Sequence, residues 1–233
     1  MSGLHFDTDQ GAIAFDATRL VVAGWTGRDR AAIEHHIEEL AALGVMRPST
    51  VPLYYRLARG LLSQQPEVEM LGPTSSGEVE PVLLRHAGRW WLSVGSDHTD
   101  RAAEALPVAH AVALSKQLCA KPLASSAWAW DEVASRADSL LLRSSIYEDG
   151  RWVLYQQGAL AAITPLADLV KGLPADVPVA DGLVLFCGTF GAIANPAGLA
   201  VRPAAAMRLE LIDPQGARHI AHDYRTAALP LVA

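Results

Sequence analysis

The chain has 233 residues, 51% of them hydrophobic, and a formal net charge of −6 at pH 7. This length allows one large domain or two small ones, and the acidic balance without a basic run argues against nucleic acid as the main partner. The only two cysteines, Cys119 and Cys187, lie far apart, which fits neither a disulfide framework nor a zinc motif and favours a reducing compartment. The polar N-terminus has no signal-peptide core and no apolar run reaches about 18 residues, so we expect a cytoplasmic protein without a membrane segment.

The first part of the chain predicts strands, a helix and a hairpin. Residues 11–25 predict one or two short strands, and residues 27–44 predict a helix because apolar residues recur near a 3.6-residue period. Residues 47–58 predict a connection punctuated by proline. Residues 80–98 predict a β-hairpin, since two apolar runs flank a turn that contains glycine.

The rest of the chain predicts short helices among further strands. The predicted helices lie in residues 100–119 with a break at Pro107, at the start of 128–145, and at 165–173. The predicted strands lie at the end of 128–145, after a turn at 149–150, in 182–190, and in a hairpin over 206–224. Strands outnumber helices and no steady β-α-β alternation occurs, which favours an α+β fold over a doubly wound sheet.

Two glutamates, Glu78 and Glu80, stand one residue apart at the start of an apolar run. Residues i and i+2 of a strand point to one face, about 6–7 Å apart, so these like charges project side by side. Spacing alone favours an ordinary solvated face. The alternative is that a divalent cation removes the repulsion, because carboxylate oxygens suit Mg²⁺, Mn²⁺ or Ca²⁺. Pro81, which lacks an N–H, predicts an edge or an irregular point of this strand.

Asp97 is the third candidate ligand, at the far end of the returning strand of the predicted hairpin. An antiparallel return brings Asp97 back near Glu78. Asp100 follows closely, with Arg101 adjacent, and this stretch can equally be a connection in which Asp100 caps the next helix.

His36 and Glu39 lie three residues apart on the predicted helix and share a face. A carboxylate beside an imidazole fixes its tautomer and raises its basicity, which suits a general base that activates water. His35 and Glu38 have the same spacing on the neighbouring face. Since scattered His and Glu are common on surface helices, this spacing by itself favours a solvated face.

Lys116 and Thr189 are further candidates for contacts with an anion. Lys116 follows an apolar helical stretch, where an ammonium can stabilise an enolate, although most lysines are simply solvated. Thr189 lies in a Gly-flanked turn after a buried strand, which can present N–H groups and a hydroxyl to an anion or be an ordinary tight turn. No nucleophile elbow, P-loop or dinucleotide-binding glycine pattern occurs.

Taken in order, these motifs resemble those of the fumarylacetoacetate hydrolase superfamily: H-x-x-E on a helix, E-x-E on a strand, a later Asp, a Lys and a GTP-x-G turn. The matching stretches are HIEEL, GEVEPVL, VGSDHTDR, LSKQLCAKPLAS, YQQGALAAI and LVLFCGTFGAI. The fifth stretch supplies Gln156, by similarity to a strand-turn glutamine of the family. The resemblance covers roughly residues 20–200, and the stretches SGEVEP, GSDHTDR and FCGT liken the chain to an uncharacterised bacterial branch.

The resemblance implies a mixed, mainly antiparallel β-roll with peripheral helices, often a homodimer. It implies Mg²⁺ or Mn²⁺, with Ca²⁺ able to replace them in a crystal. The implied residue roles are metal ligation by Glu78, Glu80 and Asp97, catalysis by His36, Glu39 and Lys116, and substrate binding by Gln156, Thr189 and Arg101. The choice of His36 over His35 depends on the alignment of HIEEL.

The activity that the resemblance implies is metal-dependent hydrolysis of carbon–carbon bonds in dicarbonyl or 2-oxo-acid metabolites. The alternatives are a decarboxylase or an isomerase/hydratase on 2-oxo acids, and a non-catalytic metabolite-binding protein. The chain departs from the family in a shorter gap between Glu80 and Asp97 and in GTF instead of GTP, so the substrate stays open. Residues 1–50 are expected to carry the N-terminal strands and the H-x-x-E helix, and residues 51–233 the β-roll core, as one compact unit.

Overall fold

A computed structural model describes residues 3–42, 47–108 and 110–232, except for the side chains at 36 and 39–42. The strands are β1 (Leu4–Thr8), β2 (Gly11–Phe15), β3 (Arg19–Gly24), β4 (Leu53–Leu57), β5 (Leu62–Ser63), β6 (Glu67–Leu71), β7 (Ser75–Ser76), β8 (Val79–His86), β9 (Arg89–Ser96), β10 (Thr99–Asp100), β11 (Lys121–Pro122), β12 (Trp128–Ala129), β13 (Leu141–Glu148), β14 (Arg151–Ala159), β15 (Leu183–Phe186), β16 (Ala206–Asp213) and β17 (Arg218–Leu229). The α-helices are α1 (Arg30–Ala42), α2 (Arg101–Glu104), α3 (Ala111–Gln117), α4 (Trp130–Val133) and α5 (Leu166–Lys171). Among these described helices, none has the length and apolar character needed to cross a membrane.

Two sheets form the body of the protein. One has six strands in the order β12-β9-β8-β15-β3-β4, and the other has five in the order β14-β13-β16-β17-β6. Neighbouring strands in these sheets are antiparallel except for the parallel pairs β15–β3 and β17–β6. The predicted α+β fold with a mixed, mainly antiparallel sheet is therefore confirmed at this level.

The six-stranded sheet is buried on both faces, and β15 shows how. Leu183 and Leu185 pack in the cluster that also holds Leu209 of the five-stranded sheet. Val184 points the other way, into a second cluster that contains Phe6 of the β1–β2 hairpin. A strand covered on both faces needs apolar residues at every position, which is why this segment is a continuous apolar run.

The β8–β9 hairpin brings the candidate ligands together. Its two-residue turn uses Ala87 and Gly88, with φ values of 49° and 72° that match the twist of the flanking strands. The resulting register sets Glu78 beside Asp97, whose N–H donates a 3.0 Å hydrogen bond to the Glu78 carbonyl. The predicted antiparallel return is confirmed.

One expectation for this sheet is wrong, and a second is wrong for one of its two alternatives. The proline-punctuated stretch 47–58 was expected to be a connection. It contains the edge strand β4, which begins directly after Pro52 and pairs with β3. Pro81 does not mark a sheet edge, because β8 lies between β9 and β15. It lies where β15 ends, and its carbonyl accepts a 3.0 Å hydrogen bond from the Cys187 N–H. The N-terminal strand β3 lies in the interior of the same sheet, between β15 and β4.

Candidate functional site

Three carboxylates converge at the open end of the β8–β9 hairpin. Glu78, Glu80 and Asp97 each offer an oxygen that lies within 4.8 Å of the other two. Glu80 is only 2% exposed and Asp97 is fully buried, while Glu78 is partly exposed. A solvated polar face, which spacing alone favoured, does not fit a glutamate buried to this extent.

Burial and, after it, repulsion from the neighbouring carboxylates oppose ionisation of Glu80. Burial raises the pKa of Glu80 well above its ordinary value, and the charges of Asp97 and Glu78 raise it further. Lys116 and a 2.8 Å hydrogen bond from the Gly188 N–H oppose this rise in the pKa. A cation among the carboxylates would favour their ionised forms.

Asp97 lies between two buried lysines. Burial tends to raise its pKa, but the ammonium groups of Lys116 and Lys121 outweigh burial and hold the pKa below its ordinary value. Lys116 donates a hydrogen bond to Oδ2, and the Lys121 Nζ lies 3.3 Å from Oδ1. Oδ1 has no hydrogen-bond partner within the described part of the chain. A buried carboxylate oxygen without a donor, beside two further carboxylates, fits a hard divalent cation.

Lys116 stands at the wall of the site on α3. Burial lowers its pKa, but Asp97 and Glu78 raise the pKa more, and it lies above its ordinary value. Its Nζ lies 5.7 Å from the centroid of the Tyr55 ring, a cation–π arrangement. The side chain therefore stays charged at the place where the resemblance predicts a catalytic lysine.

Arg101 contacts protein groups through all three of its guanidinium nitrogens. Its Nη2 lies 3.1 Å from Glu78 Oε1, its Nη1 donates a 2.8 Å hydrogen bond to Glu104, and its Nε donates a 2.7 Å hydrogen bond to Ser76. These contacts make Arg101 a residue that orients Glu78, whereas its predicted contact with substrate stays a prediction.

Gln156 and Thr189 connect two strands behind the site. The Gln156 Nε2 donates a 2.9 Å hydrogen bond to the Thr189 hydroxyl, which donates a 2.7 Å hydrogen bond to the Val79 carbonyl. The Gln156 Oε1 accepts from the Val79 N–H at 2.9 Å. Gln156 is 1% exposed and does not line the cavity, so its predicted contact with substrate stays a prediction.

A cavity of about 820 Å³ opens in front of the carboxylates. Glu78, Glu80, Lys116 and Thr189 line one end. The start of α1, with Ala32 and Ile33, also lines the cavity. The predicted pair His36 and Glu39 falls on this helix, but their side chains lie outside the described residues.

Comparison with protein families identifies the chain. Residues 23–224 match a family model described as "Protein of unknown function (DUF2848)". The chain belongs to the DUF2848 family. No curated protein matches it.

Solved structures share the fold of this DUF2848 protein at low sequence identity. A Burkholderia cenocepacia protein proposed to be a fumarylpyruvate hydrolase has a TM-score of 0.68 and 17% identity, covering 99% of this chain and 94% of that chain. The Pseudomonas aeruginosa fumarylpyruvate hydrolase with Mn²⁺ and pyruvate has a TM-score of 0.64 and 14% identity, covering 98% and 97%. A 2-keto-3-deoxy-D-arabinonate dehydratase complexed with magnesium and 2,5-dioxopentanoate has a TM-score of 0.63 and 14% identity, covering 92% and 75%. The predicted resemblance to the fumarylacetoacetate hydrolase superfamily is confirmed in the fold, and the DUF2848 family agrees with a separate branch.

In this DUF2848 protein, Lys121 belongs to the site, although the sequence analysis did not predict it. It is fully buried, and its Nζ donates hydrogen bonds to the carbonyls of His98 and Lys116, both at 2.6 Å, and of Cys119 at 3.1 Å. These bonds connect the backbone next to Asp97 to the end of α3 that carries Lys116. A lysine in the buried stretch CAKPLA was the only signal for it.

The sequence predicted no role for His98, which lies in the stretch GSDHTDR. Burial, together with the charges of Lys121 and Arg101, lowers its pKa to about 3, so the imidazole is neutral. Its Nδ1 lies 3.0 Å from the Tyr224 hydroxyl, which donates a 2.9 Å hydrogen bond to Ser96. This buried network supports the backbone behind the carboxylates.

Proposed function

We propose that this DUF2848 protein is a Mg²⁺- or Mn²⁺-dependent enzyme that acts on small 2-oxo acids and hydrolyses a carbon–carbon bond of a dicarbonyl substrate. The observation that carries the proposal is the carboxylate group of Glu78, Glu80 and Asp97, placed beside Lys116 at one end of a large cavity. The fumarylpyruvate hydrolase of the same fold, which holds Mn²⁺ and pyruvate, supports it.

Each residue of the carboxylate end has a proposed role. Glu78, Glu80 and Asp97 would hold the cation, with Arg101 keeping Glu78 turned toward the group. When bound, the cation supplies Lewis acidity that polarises a substrate carbonyl. Lys116 remains protonated and stabilises negative charge that develops on a substrate oxygen.

We also propose which residues activate the attacking water and which bind a substrate oxygen. His36, oriented by Glu39, takes the proton from the attacking water as the general base. Thr189 binds a substrate oxygen, and Gln156 holds Thr189 in place through the 2.9 Å hydrogen bond. We also propose a cytoplasmic homodimer and the division into residues 1–50 and 51–233 within one compact unit.

The similarity in fold to a dehydratase supports a second candidate reaction. A 2-keto-3-deoxy-D-arabinonate dehydratase with magnesium shares the fold. The same carboxylates and lysine could support dehydration, isomerisation or decarboxylation of a 2-oxo acid if no water is activated for attack. A non-catalytic metabolite-binding protein is the remaining alternative.

Assays of acylpyruvate cleavage with Mn²⁺ and after chelation test the proposal. We expect turnover that requires Mn²⁺, and a loss of hydrolysis of about 100-fold or more in His36→Ala because general-base catalysis is removed. Enolisation of the same substrate should survive in that variant, and His35→Ala is the matched control, with activity near the wild-type level.

Two outcomes would contradict the proposed function. Turnover that continues after chelation contradicts the role of the metal. Loss of a carboxylate or of water from a 2-oxo acid, without cleavage of a dicarbonyl substrate, identifies the second candidate reaction instead.

A further inference from the structure

The cavity extends well beyond the carboxylates. Its volume of about 820 Å³ falls in the range of about 300–1,000 Å³ that encloses drug-sized molecules. A three-carbon 2-oxo acid at the carboxylate end therefore leaves most of the space for the rest of the substrate.

An aromatic pair continues the wall next to Lys116. Tyr55 lies under the Lys116 ammonium and is hydrogen-bonded to the Trp25 side chain. Trp25 has a φ of 59°, in the left-handed region that a bulky residue rarely adopts, and such outliers concentrate where a side chain must be held in place. Both rings line the cavity, so a substrate held by Lys116 meets an aromatic surface next.

The remaining wall at this end is mainly apolar. Ile33 of α1, Val112 of α3 and Val201 all line the cavity. Apolar side chains gain free energy by removing an apolar ligand surface from water, and they offer no partner to a charged group.

Two charged residues that line the cavity, Arg28 and Asp29, already bind protein groups. Both terminal nitrogens of Arg28 donate 2.7 Å hydrogen bonds to Asp138, and its Nε donates to the Ile163 carbonyl at 3.0 Å. The Asp29 carboxylate caps α1 by accepting from the N–H groups of Ala31 and Ala32. Among the described residues that line the cavity, the cations are Arg28 and Lys116, and both are paired with protein carboxylates.

We propose that the substrate joins a 2-oxo-acid head to an uncharged, apolar end that packs against Trp25 and Tyr55, and that diacids are poor substrates. This inference rests on the proposed function and names the substrate class of the same site. It separates this protein from enzymes whose substrates carry a carboxylate at both ends.

Equilibrium binding to the Mn²⁺-loaded protein tests the inference without requiring turnover. Phenylpyruvate and 2-oxoglutarate share the 2-oxo-acid head and differ in an aromatic or a charged end. We expect calorimetry to give a Kd at least about tenfold lower for phenylpyruvate, because only its end can be desolvated favourably by the apolar wall.

Variants of the wall locate the preference. Trp25→Ala should weaken phenylpyruvate binding by about tenfold or more and change 2-oxoglutarate binding by less than about threefold. Val201→Arg should move the ratio of the two Kd values by about tenfold toward 2-oxoglutarate, because it adds a cation to the wall. Val179→Arg is the matched control, since Val179 is 47% exposed and does not line the cavity.

The outcomes separate this inference from the proposed function. Binding of 2-oxoglutarate as tight as, or tighter than, that of phenylpyruvate overturns the inference and leaves the proposed function intact. If neither acid binds in the presence of Mn²⁺, the inference and the proposed function both fail. If Trp25→Ala weakens both ligands equally, the ring supports the fold and the assigned contact is wrong.

Discussion

Asp97 and Asp213 are both fully buried, and each faces two cationic side chains, yet their surroundings differ. Asp213, at the β16–β17 turn, accepts from Arg136 at 2.7 Å and from the Gly216 N–H at 3.0 Å, and Arg218 lies 3.4 Å away. Both of its oxygens have donors. These hydrogen bonds, from Arg136 above all, lower the pKa of Asp213 to about 2.

Asp97 has the same number of cations but shares them with other carboxylates. Its Oδ1 accepts no hydrogen bond from the described residues, and Glu78 and Glu80 lie beside it. The pair of lysines therefore leaves Oδ1 without a hydrogen bond from any residue that the structure describes, in a group that holds two further carboxylates. Burial of an ion pair alone does not indicate function, whereas several carboxylates around an oxygen without a hydrogen bond do.

The largest expected effect is on metal affinity. Glu80→Gln should weaken Mn²⁺ binding by at least about 100-fold, because a neutral amide replaces a ligand charge; even residues that only support metal ligands typically contribute about 10–100-fold. Calorimetric titration measures it, and Asp213→Asn is the control with unchanged affinity. Equal Mn²⁺ binding by Glu80→Gln and the wild type would remove the carboxylate cluster as the metal site.

The next effect is on stability, and it separates Asp213 from the carboxylate group that contains Glu80 and Asp97. Asp213→Asn should lower the free energy of unfolding by about 1–3 kcal/mol, because charged hydrogen bonds to two arginines are lost. Glu80→Gln in metal-free protein should not lower it, since the change removes a buried charge from among like charges. Urea unfolding at pH 7 measures both variants, and a larger loss in Glu80→Gln than in Asp213→Asn would reverse the comparison.

The smallest expected effect is the pH dependence of these differences in the free energy of unfolding. The pKa of Asp213 is lowered from 3.8 to about 2, so its stabilising contribution is complete above pH 3.8 and is lost as the pH falls toward 2. The stability difference between the wild type and Asp213→Asn should therefore shrink over this range. The raised pKa of Glu80 has the opposite sign, so the advantage of metal-free Glu80→Gln should grow with rising pH.

Urea unfolding of the metal-free proteins at a series of pH values measures both trends. A difference for Asp213→Asn that stays constant down to pH 2 would contradict the assigned hydrogen bonds. Adding Mn²⁺ should reverse the trend for Glu80, because the cation stabilises its ionised form.

The hairpin that carries the carboxylates was predictable from the sequence. Two apolar runs and a short turn at Ala87 and Gly88 are local signals, and the turn determines which residues of the two strands face each other. Glu78 and Asp97 therefore meet as a consequence of the register. The order of the motifs in the chain also sufficed to predict the superfamily fold.

Other features depended on contacts between distant segments. The edge strand β4 was missed because Pro48 and Pro52 dominate the local signal, while pairing with β3 decides its conformation. The parallel pair β15–β3 joins residues 183–186 to residues 19–22, and no local period reports such a distant pairing.

The sequence by itself determined which carboxylates lie together, since the hairpin register follows from residues that are close in the chain. Only the tertiary structure decided how they are charged. The two lysines on Asp97 and the hydrogen bonds of Lys121 arise from packing between α3, β11 and the hairpin, and Glu80 is buried beside Gly188, which follows β15. Desolvation and Coulomb interactions depend on distance in space, and the fold sets that distance.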